Sequence, residues 1–388
     1  MNIIISSFLK YSLTSTFAPR FIKMKGKIKF VERPRTEFFA TLRSRVNSYF
    51  EENKIAKTGD YRMVIKTVVM LSLYIVPFII ILTGILPLWA TFFMWIIMGI
   101  GASGTGMSVM HDANHGAYSK YAFVNNMLSR TMYLVGGSKF TWRVQHNILH
   151  HTYTNIYGMD EDIHDKPILR LSPHGKLRFI HKYQHLYAFV IYCLATLGWT
   201  LNKDFNQLIR YNKNGLTKGS GGKPKGEMIK LIVSKIFYFS VILLLPALIS
   251  GYGFGFILLG FLVMQFASGL IVTTIFLLAH VIEETDHPVP TENGEIENAW
   301  AIHQLETTAN FAKKNRVLSW FVGGLNYQVE HHLFYNICHI HYKNIAPIVK
   351  KTALEFGIPY YEKTTFWDAL GSHIRVLKQI GNNTAMAK

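Results

Sequence analysis

The 388 residues are 49% apolar and only 16% charged, yet 41 Lys and Arg against 23 Asp and Glu give a net charge of +18. An aromatic content of 14% excludes a disordered tail, and two cysteines, Cys193 and Cys338, exclude a disulfide scaffold and fit a reducing compartment. Nucleic-acid binders are basic but seldom this apolar, whereas membrane proteins are both when the charge stays out of the bilayer.

In chain order, residues 1–64 read as a basic cytosolic arm. Its first 23 residues (MNIIISSFLKYSLTSTFAPRFIK) hold an apolar patch too short for a signal peptide, and Met24 is a competing start. Residues 65–388 read as one membrane domain. No Lys or Arg occurs in Thr67–Ser119 or in Ile236–Ala312. Each window holds two apolar runs, at about 65–83 and 88–109 and at about 231–249 and 254–281. Each run approaches or exceeds the roughly 20 residues that cross a hydrocarbon core. The short turns Gly84–Pro87 and Ser250–Gly253 make each pair a helical hairpin. Lys66 and Lys235 sit in opening turns, where a long side chain can reach the interface. A shorter run, 186–201, lies between His181, Lys182 and Lys203 and reads as interfacial. Asn212–Lys230 reads as a flexible basic linker. The positive-inside rule puts the N-terminal arm, residues 110–230 and residues 282–388 in the cytoplasm.

Of 17 histidines, seven form three groups. His111 and His115 stand in HDANH, His146, His150 and His151 in QHNILHH, and His331 and His332 in QVEHH behind Gln328. His111/His115, His146/His150 and Gln328/His332 are i, i+4 pairs, so each helix can point two side chains at one centre. Neutral imidazole ligates iron, zinc, copper and nickel. Seven histidines exceed the ligand set of a single zinc, so two metals sharing them is the simplest reading. His280, closing the fourth run, is the expected eighth ligand; Gln328 ligates directly or through a bound water. All three groups must lie on one side, so an even number of crossings separates His151 from His331, and 186–201 cannot be a further span. The remaining histidines lack partners at ligand spacing, with His339 and His341 read as supports or headgroup contacts. Asp112, Asp160, Asp162, Asn326 and Glu330 are candidates to hold the ligating rings by hydrogen bonds. The E-x-x-H pairs Glu161/His164 and Glu284/His287 precede Pro167 and Pro288 in turn-like stretches, which argues against a carboxylate-bridged centre.

The three histidine motifs resemble the boxes of the membrane fatty acyl desaturases. Gln328 at the head of the third box is similar to the front-end branch, which includes delta-5, delta-6 and linoleoyl-CoA desaturases. HLFYNICHIHY, GGLN ahead of Gln328 and TTANF at Thr307–Phe311 extend the likeness over about residues 25–362. The resemblance implies an all-α integral membrane fold: four transmembrane helices in two hairpins below a cytosolic helical cap that holds a histidine-ligated di-iron centre. It implies two Fe ions on His111, His115, His146, His150, His151, His280, His331 and His332. O2 would be the co-substrate, and the reaction would place a cis double bond in an acyl-CoA or acyl-lipid. Electrons would come from a separate ferredoxin or cytochrome b5-type donor, because no HPGG motif of a fused cytochrome b5 occurs in the sequence. Membrane lipids are expected partners and nucleic acid is not. A bacterial inner membrane or the endoplasmic reticulum is the expected location. Tyr335 stands where the family usually has Pro. Rival readings are a fatty acid or alkane hydroxylase or a sphingolipid desaturase on the same scaffold, and a metal transporter; transporters place their sites near the midplane, which argues against the last. Trp142 either stacks on the acyl chain or anchors at the interface. The small residues of Gly99–Ser108 either pack helices or wall an acyl channel.

Overall fold

The computed structural model describes residues 28–31, 37–164 and 166–384, so the first 23 residues and the start at Met24 lie outside the described residues. Among the described residues, four helices are long and apolar enough to cross a membrane: Tyr61–Thr83, Leu88–Asn114, Pro224–Ile249 and Phe254–His280. The stretch around 186–201 is not among them. It folds into Gln184–Cys193 and Ala195–Gly198, which run along the fourth helix. Thr196 Oγ1 donates to Gln265 O at 2.8 Å. A Cβ on Gly269 would lie 2.5 Å from Cys193 O, so glycine is what permits that approach.

Asp60 caps the first span by accepting from Arg62 N at 2.9 Å. Gly84 ends it in the left-handed region at φ 66°. A Cβ there would collide with Ser250 O, so the outer turns of the two hairpins touch. The second span packs on the first and the fourth through small residues. A Cβ on Gly99 would meet Met264 O and one on Gly101 would meet Leu73 C, each at 2.6 Å. Lipid offers no hydrophobic drive for helix association, so such close van der Waals contact supplies it. Of the two functions open to this stretch, packing is the one served by Gly99, Gly101 and Gly104. Gly106 differs, having nothing within 4 Å of its Cβ position.

Both lysines expected at the interface are instead buried in protein. Lys66 Nζ lies 2.6 Å from His339 Nε2. Lys235 Nζ pairs with Asp204 Oδ2 at 2.7 Å and donates to Gly136 O at 2.6 Å. The cap supplies partners that cost less than stretching each side chain to water.

The second and fourth spans have 27 residues each. At about 1.5 Å per residue they measure about 40 Å, some 10 Å more than a hydrocarbon core. Their ends therefore rise into the cap, carrying His111 and His280. The cap closes over them with helices from both chain ends. In Glu37–Glu52, Phe38, Leu42, Val46 and Phe50 recur every four residues, and all are buried. That stripe packs on Tyr342–Glu355, in one core with Leu305, Val329, Leu333 and Val349. Two small parallel pairings tie the cap: Lys29–Phe30 with Glu295–Ile296, and Ala309–Phe311 with Tyr361–Lys363.

Candidate metal centre

The helices that carry the histidines are not regular. The second span widens into a π turn at Thr105–Met110 before the α-helix resumes at His111–Asn114. A second wide segment, Val144–His150, carries His146 and His150. Such turns bond i to i+5 and are frequent at functional sites.

The rings converge as two sets. Nitrogens of His111, His115, His146 and His331 all lie within 4.8 Å of one another, and so do nitrogens of His150, His280 and His332. His151 stands between, its Nε2 3.2 Å from His146 Nε2 and its ring centroid 4.6 Å from His331 and 4.5 Å from His332. The i, i+4 pair His111/His115 thus falls within one set, whereas His146/His150 is divided between the two. The wide turn rotates His150 away from His146's set. The adjacent pair His331/His332 is likewise divided.

His115 is half-buried and the other rings are buried, and their nitrogens converge unsatisfied. Both nitrogens of His115 and the Nε2 atoms of His150, His280, His331 and His332 have no hydrogen-bond partner. Each such buried atom costs about 1–3 kcal/mol, so a cluster of them fits a group that binds there. His146 Nε2 also lies 3.1 Å from His111 Nε2 and 3.2 Å from His151 Nε2. One ring nitrogen cannot bond well to both neighbours. Adjacent corners around a metal with bonds of about 2.0–2.1 Å lie about 3 Å apart, so the spacing suits a shared ion.

Burial, then the neighbouring rings, push His115, His146, His151, His331 and His332 well below the usual imidazole range. These rings are therefore neutral, which is the ligating form. At His150 burial is outweighed by the charge of Asp160 and Asp162, and the net shift is upward.

Partners on the far nitrogen fix several rings. His150 Nδ1 is 3.0 Å from Asp160 Oδ2, and Asp160 also accepts from the backbone of Asn155 and Asp162. His332 Nδ1 donates to Gln304 Oε1 at 2.7 Å, which also accepts from Thr154 Oγ1 at 2.9 Å. His280 Nδ1 donates to Thr307 O at 3.3 Å, and Asn155 Nδ2 braces His280 O at 2.7 Å. His331 Nδ1 is 3.2 Å from Tyr342 Oη. Each bond leaves Nε2 free to face the centre, and a carboxylate on Nδ1 strengthens the opposite donor. Gln328 is fully buried and neither of its amide atoms has a partner.

Of the supports expected from sequence, Asp160 and Asp162 stand at His150. Asp112 Oδ1 is 3.7 Å from His111 Nδ1, too far for a hydrogen bond. Its other oxygen accepts from His339 Nδ1 at 2.8 Å and from Cys338 Sγ at 3.1 Å. Asn326 Nδ2 bonds Ser319 Oγ and Phe311 O. Glu330 accepts from Asn310 and Tyr360, and burial pushes its carboxyl up to about 7. These hydrogen bonds of Asn326 and Glu330 do not go to a clustered histidine ring. Trp142 is buried rather than interfacial, its ring stacked 4.5 Å from His146. Glu161 and Glu284 point elsewhere, to Arg210 and Lys363. Sequence reading missed Gln304, Thr307, Asn155 and Tyr342. The signal available was TTANF, read only as likeness and not as the source of a carbonyl.

A family model described as fatty acid desaturase matches residues 87–364. The chain belongs to the fatty acid desaturase family. It is 36% identical over 348 residues to an sn-1 linoleoyl-lipid 6-desaturase of Arthrospira platensis, covering 89% of this chain and 93% of the relative. A protein of the same name from Synechocystis sp. is 37% identical over 358 residues, covering 92% and 98%. An acyl-lipid (8-3)-desaturase of Physcomitrium patens is 32% identical over 364 residues, covering 92% and 74%. The desaturase is thus a membrane oxidoreductase of lipid metabolism that introduces double bonds into acyl chains. Its buried histidine clusters could hold metal ions.

Proposed function

We propose that the desaturase is an O2-dependent front-end enzyme acting on a lipid-linked acyl chain that already carries double bonds, with two iron ions held by the eight histidines. The observation that carries this reading is the division of the rings into two nitrogen sets with His151 between them. The names of the relatives support an acyl-lipid substrate and a position on the carboxyl side of existing double bonds.

His111, His115, His146 and His331 would hold one iron, and His150, His280 and His332 the other, with His151 completing either set. Gln328 would add its carbonyl oxygen or position a water. Bound iron would supply the reduction of O2 and the removal of hydrogen from an unactivated methylene pair, chemistry that no side chain performs. The protein's part is positioning. The neutral imidazoles of His115, His146, His151, His331 and His332 keep their lone pairs available. Asp160, Gln304 and the Thr307 carbonyl hold Nδ1 of their rings and so aim Nε2 inward. Burial of the rings keeps water away. The spans would hold a straight chain at fixed depth, so that one methylene pair meets the centre.

We further propose that the centre and both termini face the cytoplasm, because the basic residues lie on that side of the apolar windows. Residues 65–388 then act as one membrane domain, and the electron donor is a separate protein. The test is expression in a host with a compatible donor, fed polyunsaturated precursors, with lipid profiling and iron analysis. A new double bond on the carboxyl side, lost in His146→Ala, is expected. Stoichiometric zinc without iron, or no new lipid from any precursor, would overturn the reading.

A further inference from the structure

We propose that the exposed turn at Tyr335 and Asn336 is where a one-electron carrier protein docks and passes electrons to the centre, an inference that rests on the redox reading above. His331 and His332 end the short helix Gln328–Leu333, and the chain then leaves toward the surface. Phe334 stays buried, its ring 6.1 Å from Phe39. Tyr335 turns outward and is 43% exposed. Its ring centroid nevertheless lies 5.4 Å from His115 and 5.4 Å from His151. One side chain thus touches both solvent and the ligand rings.

The other aromatic contacts of the ligating rings do not offer this. Trp142 and Tyr342 are 6% and 1% exposed. Phe276 packs on His150 and His280 from within the fourth span, on the membrane side. Beside the ligands in sequence, Gly116, Ile148 and Asn336 are also exposed. All three are uncharged, and the Tyr335 ring itself is accessible.

The electron count requires such an entry. Removing two hydrogens from a methylene pair yields two electrons and two protons. Reducing O2 to two waters consumes four of each. Two electrons and two protons must therefore arrive from outside, the electrons singly from an iron–sulfur or haem carrier. Tunnelling decays exponentially with distance, so the carrier must reach the surface nearest the ligands. Tyr335 serves as contact and conduit and need not itself be oxidised. The chain's net charge of +18 selects a carrier with an acidic rim.

The test uses iron-loaded full-length protein in lipid nanodiscs, reduced anaerobically by a [2Fe–2S] ferredoxin or, separately, by dithionite with a small mediator. Tyr335→Leu should slow ferredoxin oxidation about tenfold, the loss typical of an interface hot spot, while Tyr335→Phe stays close to the unchanged protein. Asn336→Trp, which blocks approach without removing the ring, should weaken ferredoxin binding and spare mediator-driven reduction. Iron content and the KM for the acyl substrate should not move in any of the three. An unchanged ferredoxin rate in Tyr335→Leu overturns the inference. So does an equal loss with mediator, which would mean the ring merely packs the ligands. A raised acyl KM with unchanged reduction overturns it in favour of a substrate wall. Failure of the unchanged protein to bind iron or to turn over with mediator overturns the redox reading itself, and this inference with it.

Discussion

The two halves of the histidine centre are built differently. His150, His280 and His332 each have Nδ1 tied to Asp160, Thr307 O or Gln304. In the other set His331 has Tyr342, but His111 Nδ1 and both nitrogens of His115 have no partner. That second set also meets the exposed ring of Tyr335, at His115. One half is braced from behind, and the other is looser and closer to the surface. The braced half should hold its metal tightly, while the looser half can let its rings adjust as coordination changes.

The largest expected effect comes from removing a ligand of the braced half. His332→Ala should abolish desaturation and remove about one iron per chain, read by metal analysis of purified protein. Both irons lost together would show that the halves are not separable. Next, Asp160→Asn should weaken metal affinity about 10–100-fold, the usual cost of removing such a support. Asp112→Asn should cost much less, since Asp112 bonds His339 rather than a ligating ring. Equal losses in a chelator competition would break the comparison. Gln304→Leu should lower activity and iron retention, and Gln304→Glu, which still accepts from His332, should restore most of both. The smallest effect concerns the wide turn leading to His111. Gly104→Leu must displace Met70 and Phe321 and should cost stability, whereas Gly106→Leu has room. Folded, active Gly106→Leu with altered chain-length preference is expected from lipid profiling; unchanged preference would assign that turn to packing alone.

The spans and the histidine groups were legible because each is a local pattern. A run without charge must be buried in something apolar, and a histidine repeated at helical spacing marks a face. The partition of His150 from His146 was hidden, because a single wide turn changes the phase and leaves no residue signature. The supports were hidden for a different reason. Gln304 and His332 are 28 positions apart, and Thr307 contributes a backbone carbonyl, which any residue type would offer. Lys66 and Lys235 misled because a lysine near a helix end usually finds water; here His339 and Asp204, brought by distant chain segments, reached them first. Trp142 misled likewise, its ring being taken up by His146 before it could meet the interface.

The clustered histidines come from four separate stretches, beginning at His111 and ending at His332. At synthesis rates of about 5–20 residues per second, roughly 10–40 s separate the emergence of the first histidine box from that of the last. During that interval the early hairpin is already in the bilayer with half of a ligand set. Neither half is complete until the third box is made, since each takes one of its two adjacent histidines. Loading of the two proposed ions would therefore be a late, post-insertional event, and a ribosome that stalls before the third box would leave a membrane-inserted chain with no complete site for either.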